Sequence, residues 1–417
     1  MDDTVPGGSA ASGVIDALSV EAICDWLVLQ GLAKTGFEAL FGGFCERLVE
    51  AGMALNRSYL GMRTLHPSVA ALEYVWHRGG GVESESFRHE VAGQSAYWKA
   101  TPHFYMLEND VPVLRRRLVG PDACLDFPLL EDLEAQGVTD YIAMFVAFGL
   151  GGITKEKTGM IASWASDGPE GFSDAEAAAI ERLQPRLALA LSATLAHQVA
   201  VNLLDTYVGT SVGQRILRGE IRRGSMDVIP SVILYADLQG FTTFSDRAPK
   251  DEVVAALNDY FERMVRPVHA NGGDVLKFLG DGLLAVFNVE GADPDALCGR
   301  ALAAAVESLS GVARLNAARA AAGAPVMALD VALHLGEVMF GNVGAEDRLD
   351  FTVIGPAVNE ASRIEALCGP LGHSLLVSGA FARAAVSSAS RLVSIGAHTL
   401  RGVGSVQELF TLDLADG

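Results

Sequence analysis

Basic residues are in short supply in this 417-residue chain: 31 Lys and Arg stand against 51 Asp and Glu, a formal net charge of −20. So anionic a protein is a poor partner for nucleic acid or an anionic membrane, both of which select positive patches. An anionic small substrate would have to be met by locally placed cations or metal ions. Cysteine is sparse as well. Cys24, Cys45, Cys124, Cys298 and Cys368 are scattered without a CxxC pair, which argues against a disulfide framework or a thiolate zinc site and for a reducing compartment. The opening Met-Asp-Asp-Thr lacks the charged and apolar regions of a signal peptide. With no segment read as the ~18 apolar residues that span a bilayer, the expectation is a soluble, cytoplasmic protein. Apolar residues are plentiful, 50% hydrophobic against 20% charged, enough for two or three globular cores at this length.

Residues 1–14 are rich in Gly, Ser and Ala and are expected to be disordered. Residues 15–172 combine helical periodicity over 22–54 with short strands near 72–77, 140–148 and 160–165, the pattern of an α+β module. Tyr97, Trp98, His103, Phe104 and Tyr105 cluster there; a ligand pocket is one reading, ordinary core the favoured one. His89 or His103 alone does not make a haem site. Ser173-Asp-Ala-Glu176 is a capping box that opens a long helix. Its stripe Ile180, Leu183, Leu187, Leu191, Leu195, Val199 and Leu203 suits pairing with a second copy, with packing on its own domain as the competing reading. A second helical stretch carries Arg215, Arg218, Arg222 and Arg223, so residues 173–223 read as a helical linker for dimerisation and signal transmission, followed by a connection over 224–230.

From 231 the order is strand (231–237), helix (250–267), hairpin (273–288), helix (292–322), a strand pair (326–341), strand (350–354) and a helix from Pro356. This βαββαβ order predicts a ferredoxin-like, palm-type α+β domain. The hairpin, Gly272-Gly-Asp-Val-Leu-Lys-Phe-Leu-Gly-Asp-Gly-Leu-Leu-Ala-Val-Phe287, turns at Gly280-Asp281-Gly282 and reads as buried. Lys277 interrupts its first apolar run and Asp281 places a carboxylate at its tip. Asp237 ends another apolar strand, and the Gly240-Phe241-Thr242 turn that follows offers backbone amides suited to phosphate oxygens. Two strand-end carboxylates brought side by side repel unless cations lie between them, the arrangement of two-metal phosphoryl transfer. Asn359 and Arg363 fall at i and i+4 of the last helix, on a face distinct from Val358, Ala361, Ile364 and Leu367.

These strings, together with Gly344-Ala-Glu-Asp-Arg-Leu-Asp-Phe-Thr-Val-Ile-Gly-Pro-Ala-Val-Asn-Glu-Ala-Ser-Arg363, resemble the class III nucleotidyl cyclase catalytic domain over roughly residues 228–412. The resemblance implies conversion of ATP to 3′,5′-cyclic AMP and pyrophosphate. Two divalent ions, Mg2+ or Mn2+, would be held by Asp237, Asp281 and the Leu238 carbonyl, with the ribose 3′-oxygen attacking the α-phosphate in line. Lys277 and Thr352 would read the adenine, Asn359 orient the ribose and Arg363 stabilise the pentavalent phosphorus. Arg401 aligns loosely with a residue that meets the terminal phosphates. Thr352 stands where many adenylate cyclases have Asp, and Asp350, of the same strand parity, is an alternative acceptor. In this family the metal carboxylates and the base, Asn and Arg groups come from different protomers, which implies a homodimer with shared sites. Residues 15–172 resemble, more loosely, a GAF-type sensor domain for an unknown ligand. A guanylate cyclase and a catalytically silent nucleotide-binding regulator are the rival readings, with a diguanylate cyclase ranked lower.

Overall fold

The computed structural model describes residues 15–63, 69–88, 95–148, 159–289 and 291–413. Residues 1–14, expected to be disordered, lie outside them, as does His89. The chain divides between Asn202 and Leu203 into two compact units.

The first unit runs α1 (Ala17–Ala33), α2 (Phe37–Glu50), β1 (Leu55–Arg63), β2 (Val69–His77), β3 (Gly81–Arg88), α3 (Ala96–Lys99), α4 (Pro102–Glu108), β4 (Val113–Arg117), α5 (Pro128–Ala135), β5 (Asp140–Ala147), β6 (Gly159–Ser166) and the start of α6 (Asp174–Val208). The helical pattern over 22–54 resolves into two helices because Lys34 takes a left-handed conformation, φ 53°, and caps the first. The strands form one antiparallel sheet ordered β3-β2-β1-β6-β5-β4. Alternation gives the sheet two apolar faces. Leu60 and Trp164 join Phe41, Phe44, Leu183 and Leu187 in one core, while Tyr59 and Tyr141 join Met106, Leu130 and Leu133 in another.

Two polar devices fasten this unit. The capping box forms reciprocally: the Ser173 amide donates to Glu176 Oε2 at 2.8 Å and the Glu176 amide to Ser173 Oγ at 3.3 Å. Asp140, wholly buried, accepts from Arg115 at 2.7 Å and from the Phe172 amide at 3.0 Å, with Arg117 at 3.4 Å. The stripe expected to pair with a second copy is largely spent here. Ile180, Leu183, Leu187, Leu191 and Leu195 are buried in their own unit, and Leu203 remains 37% exposed.

The second unit contains α7 (Thr210–Leu217), β7 (Met226–Gln239), α8 (Phe241–Ser245), α9 (Lys250–Ala270), β8 (Asp274–Leu279), β9 (Gly282–Asn288), α10 (Pro294–Ala321), β10 (Ala328–Gly344), β11 (Leu349–Ile354), α11 (Pro356–Glu365), α12 (Cys368–Leu371), β12 (Leu375–Ser378), α13 (Gly379–Ala384), β13 (Leu392–His398) and β14 (Gln407–Leu412). Its sheet is ordered β13-β14-β12-β10-β7-β9-β8, with β11 beside β10. The first six major elements, β7-α9-β8-β9-α10-β10, are the expected βαββαβ unit. Val232, Leu234, Phe287 and Val331 bury one sheet face against α9 and α10. Ile233, Leu284 and Val286 bury the other, where Ala357 and Ala361 of α11 meet it.

Three expectations are corrected. The strand pair over 326–341 is a single strand, β10, in register with β7 from Ala328–Gln239 to Gly341–Met226. Gly336, which offers a break in sequence, is a point of close packing instead: a Cβ there would come 2.6 Å from that of Ala357. The hairpin is buried only along β9; β8 is an edge strand with Phe278 51% and Leu279 36% exposed, so Lys277 is not embedded in apolar surroundings. Finally, α6 and α10 each contain a window long and apolar enough by composition to cross a bilayer. In the fold Leu183, Leu187 and Leu191 of α6 and Leu297, Leu302 and Val312 of α10 lie within protein cores.

Candidate functional site

β7 carries Asp237 to the end of the central strand, where the chain turns through Gly240. That glycine adopts φ 84°, a left-handed conformation costly for other residues, and leads into α8, whose first amides have no side-chain cap. Thr242 is exposed and Phe241 half-buried beside Phe244. β9 pairs antiparallel with β7 as far as Ala236–Leu283. The next step sets Gly282 against Asp237 itself: a Cβ at 282 would sit 2.6 Å from Asp237 Oδ1. The hairpin tip with Asp281 is therefore delivered to the Asp237 carboxylate by strand register, and a side chain at 282 would intrude between them.

The electrostatics follow from this crowding. The Asp237 carboxyl is pushed up to about 6, first by burial, then by the charges of Asp281 and Asp330, against a hydrogen bond from the Leu238 amide. Asp281 is also raised by burial. Two further acids belong to the cluster and escaped the sequence reading. Asp330 faces Asp237 across the β7–β10 ladder and accepts from Gln239 at 2.6 Å. Glu365, in the last turn of α11, is pushed up to about 7 by burial and by Asp237, Asp330 and Asp281 in that order. The signal for Asp330 was present: a single acid in the apolar run Ala328-Leu-Asp-Val-Ala-Leu333, the same anomaly that marked Asp237. Glu365 had no such mark.

A second cluster lies on β8, β11 and α11. Lys277 is exposed on the edge strand, and its ammonium donates to Asp350. Thr352, half-buried, pairs across β11 with Gly341. Asp350, the alternative to Thr352 as the acceptor for the base, is paired with Lys277 here. Pro356 begins α11 as its first residue, after Gly355. Ala357, Ala361 and Ile364 face inward, while Asn359 and Arg363 are both exposed, one turn apart, with no described ion-pair or hydrogen-bond partner. Arg401 is exposed in a turn after Leu400.

Comparison with known proteins falls on this unit. Residues 226–412 match the family described as the adenylate and guanylate cyclase catalytic domain. Over 150 residues the chain is 37% identical to adenylate cyclase 1 of Rhizobium meliloti (strain 1021), 35% of this chain and 22% of that protein. Over 167 residues it is 33% identical to an adenylate cyclase of Anabaena cylindrica, 39% of this chain and 32% of that protein. The chain thus spans between a fifth and a third of the length of these relatives. Among solved structures, a bacterial light-regulated adenylyl cyclase aligns with 26% identity and a TM-score of 0.45, covering 56% of this chain and 65% of that one.

Proposed function

From the match of residues 226–412 to the adenylate and guanylate cyclase catalytic domain, we propose that the chain is an adenylate cyclase that converts ATP to 3′,5′-cyclic AMP and pyrophosphate. The observation that carries the reading is the Asp237 carboxylate, lifted to about 6 by burial and by the charges of Asp281 and Asp330. Such a site gains from a divalent ion what it loses by like-charge repulsion. Among the described residues no group of three or more His, Cys, Asp or Glu is placed to hold a metal by itself. Two carboxylates completed by a backbone oxygen and substrate phosphates is the habit of Mg2+. Asp237, Asp281 and the Leu238 carbonyl would hold two divalent ions, Mg2+ or Mn2+, which when bound neutralise phosphate charge and make the ribose 3′-hydroxyl more acidic.

The other residues follow in their roles. The amides after Gly240, through Phe241 and Thr242, donate to phosphate oxygens at the start of α8. Lys277 donates to adenine N1 and Thr352 or Asp350 accepts from its 6-amino group, a pattern that guanine does not match. Asn359 holds the ribose, Arg363 meets the charge that develops on the α-phosphate, and Arg401 meets the terminal phosphates. As the family resemblance implies, the arginine is supplied by a second copy, and the working unit is a homodimer with two shared sites. The first unit acts as the regulatory input.

Purified full-length protein incubated with Mn2+ and either ATP or GTP, with products separated by chromatography, tests the reading directly. Cyclic AMP should form in preference to cyclic GMP, and Arg363→Ala should lower turnover by about 10² to 10³. A chain that binds ATP but releases no cyclic product would instead be a silent regulator, and preferred cyclic GMP would make it a guanylate cyclase.

A further inference from the structure

The first unit encloses a cavity of about 770 Å³ between its sheet and the α3–α4 segment, within the ~300–1,000 Å³ typical of small-molecule sites. The aromatic cluster favoured as core in sequence forms its roof: Trp98 and Phe104 line it, and only His103 of the cluster is fully buried. Three features of the walls define a guest. Arg57, on the sheet floor, is half-buried, and its guanidinium makes no hydrogen bond or ion pair with any described residue; a guanidinium withdrawn from water in this way lacks the partner it needs. Tyr59, His103 and Trp98 form a layered series, with ring centroids 4.4 Å and 6.4 Å apart and interplanar angles of 16° and 30°, so the cavity has flat walls. Gly61, in the interior of β1, keeps the floor open; a Cβ there would meet Tyr59 Oη at 2.7 Å.

We propose that this cavity binds a planar, largely apolar organic monoanion, a polycyclic carboxylate or sulfonate in chemistry, with its anionic group on Arg57 and its rings between the sheet and Trp98. Arginine is the side chain suited to such a group because its planar fork meets a carboxylate or sulfonate with two parallel hydrogen bonds. The single charge is set by the opposite part of the lining. Glu73 of β2, which is hydrogen-bonded with Tyr59, stands directly across from Glu85 of β3. A second anionic group on the ligand would be driven toward these carboxylates. A neutral polycycle would fill the volume but leave Arg57 unpartnered.

The probe is 8-anilinonaphthalene-1-sulfonate, titrated into the full chain with its fluorescence as readout and near-UV circular dichroism as the check that the protein is folded. Saturable binding is expected, with displacement by 2-naphthoate. Neutral 2-naphthylmethanol and 2,6-naphthalenedicarboxylate should each compete roughly tenfold less well, the ratio expected for loss of one charge-assisted pair. Arg57→Met should weaken the dye by about tenfold and Arg57→Lys by much less. Equal competition by the alcohol, unchanged affinity in Arg57→Met, or the absence of saturable binding would overturn the proposal. If Arg57→Met fails to fold, the three competitors on the unaltered protein decide the matter.

Discussion

If the arginine that acts on one copy's phosphate belongs to another copy, two inactive variants should repair each other. Arg363 is exposed without a described partner, so Arg363→Ala removes chemistry with little cost in folding, within about 0.5 kcal/mol. Asp281→Ala removes one source of the repulsion that raises Asp237, so it too should fold. Each variant alone is expected at about 10⁻² to 10⁻³ of normal turnover. Mixed in equal amounts with free exchange, roughly half of the dimers pair one variant with the other. Each such dimer holds one site with Asp237, Asp281 and Arg363 all present and one site lacking both altered groups. Specific activity should therefore return to about a quarter of normal, and to about half in heterodimers isolated through two affinity tags. The assay is cyclic AMP formation with Mn2+ and saturating ATP. Asp237→Ala mixed with Asp281→Ala, two lesions of one set, should show no recovery. A mixture of the complementary variants that stays at the mean of its parts would refute the shared site, whatever the activity of the unaltered protein.

Other consequences concern stability. His103, buried and hydrogen-bonded to Tyr141 at 3.0 Å, is pushed down to about 3 by burial and by Arg57. Its folded value lies below the unfolded one, so it contributes stability in full above about pH 6.5 and loses it as the pH falls toward the folded value. The first unit should lose about 2 kcal/mol between pH 7 and pH 5 from this group; urea unfolding followed by tryptophan fluorescence reads the loss, and His103→Gln should flatten that part of the profile. Asp140→Ala strips two arginines and the Phe172 amide of their buried acceptor, with a cost of about 3–5 kcal/mol measurable by denaturant midpoint. Tyr260→Phe takes the acceptor from the Met327 amide, 2.9 Å away, and the donor from Asn316. It should destabilise the second unit by about 1–3 kcal/mol, and an unchanged melting curve would contradict that role.

The second unit was easier to read than the first, for identifiable reasons. Its helices and strands differ sharply in period, its Asp237, Lys277 and Asp281 interrupt apolar runs, and Pro356 marks a helix start, so element order and the local setting of each group are written in short stretches. What was missed depends on distant contacts. Whether Gly336 turns the chain or admits Ala357 is decided by α11, twenty residues later in sequence. Glu365 joins the acidic cluster only because α11 ends beside β7. The hairpin reads as buried because β8 looks apolar, yet the place of β8 and Lys277 at the sheet edge depends on which strands fail to cover them. The leucine stripe of α6 has the same period for a partner helix as for a sheet, and the first core claims most of it.

The exposed border formed by β8 has one more consequence. A register shift between Val275 and Lys277 kinks it, and a charged lysine sits beyond the kink, both of which spoil a template for adding another strand. Copies that meet across this border must do so through side chains, with Phe278 and Leu279 as the adhesive. Whether such an assembly closes then rests on symmetry: a two-fold pairing of this border with itself ends at two chains, whereas a head-to-tail contact leaves a free end.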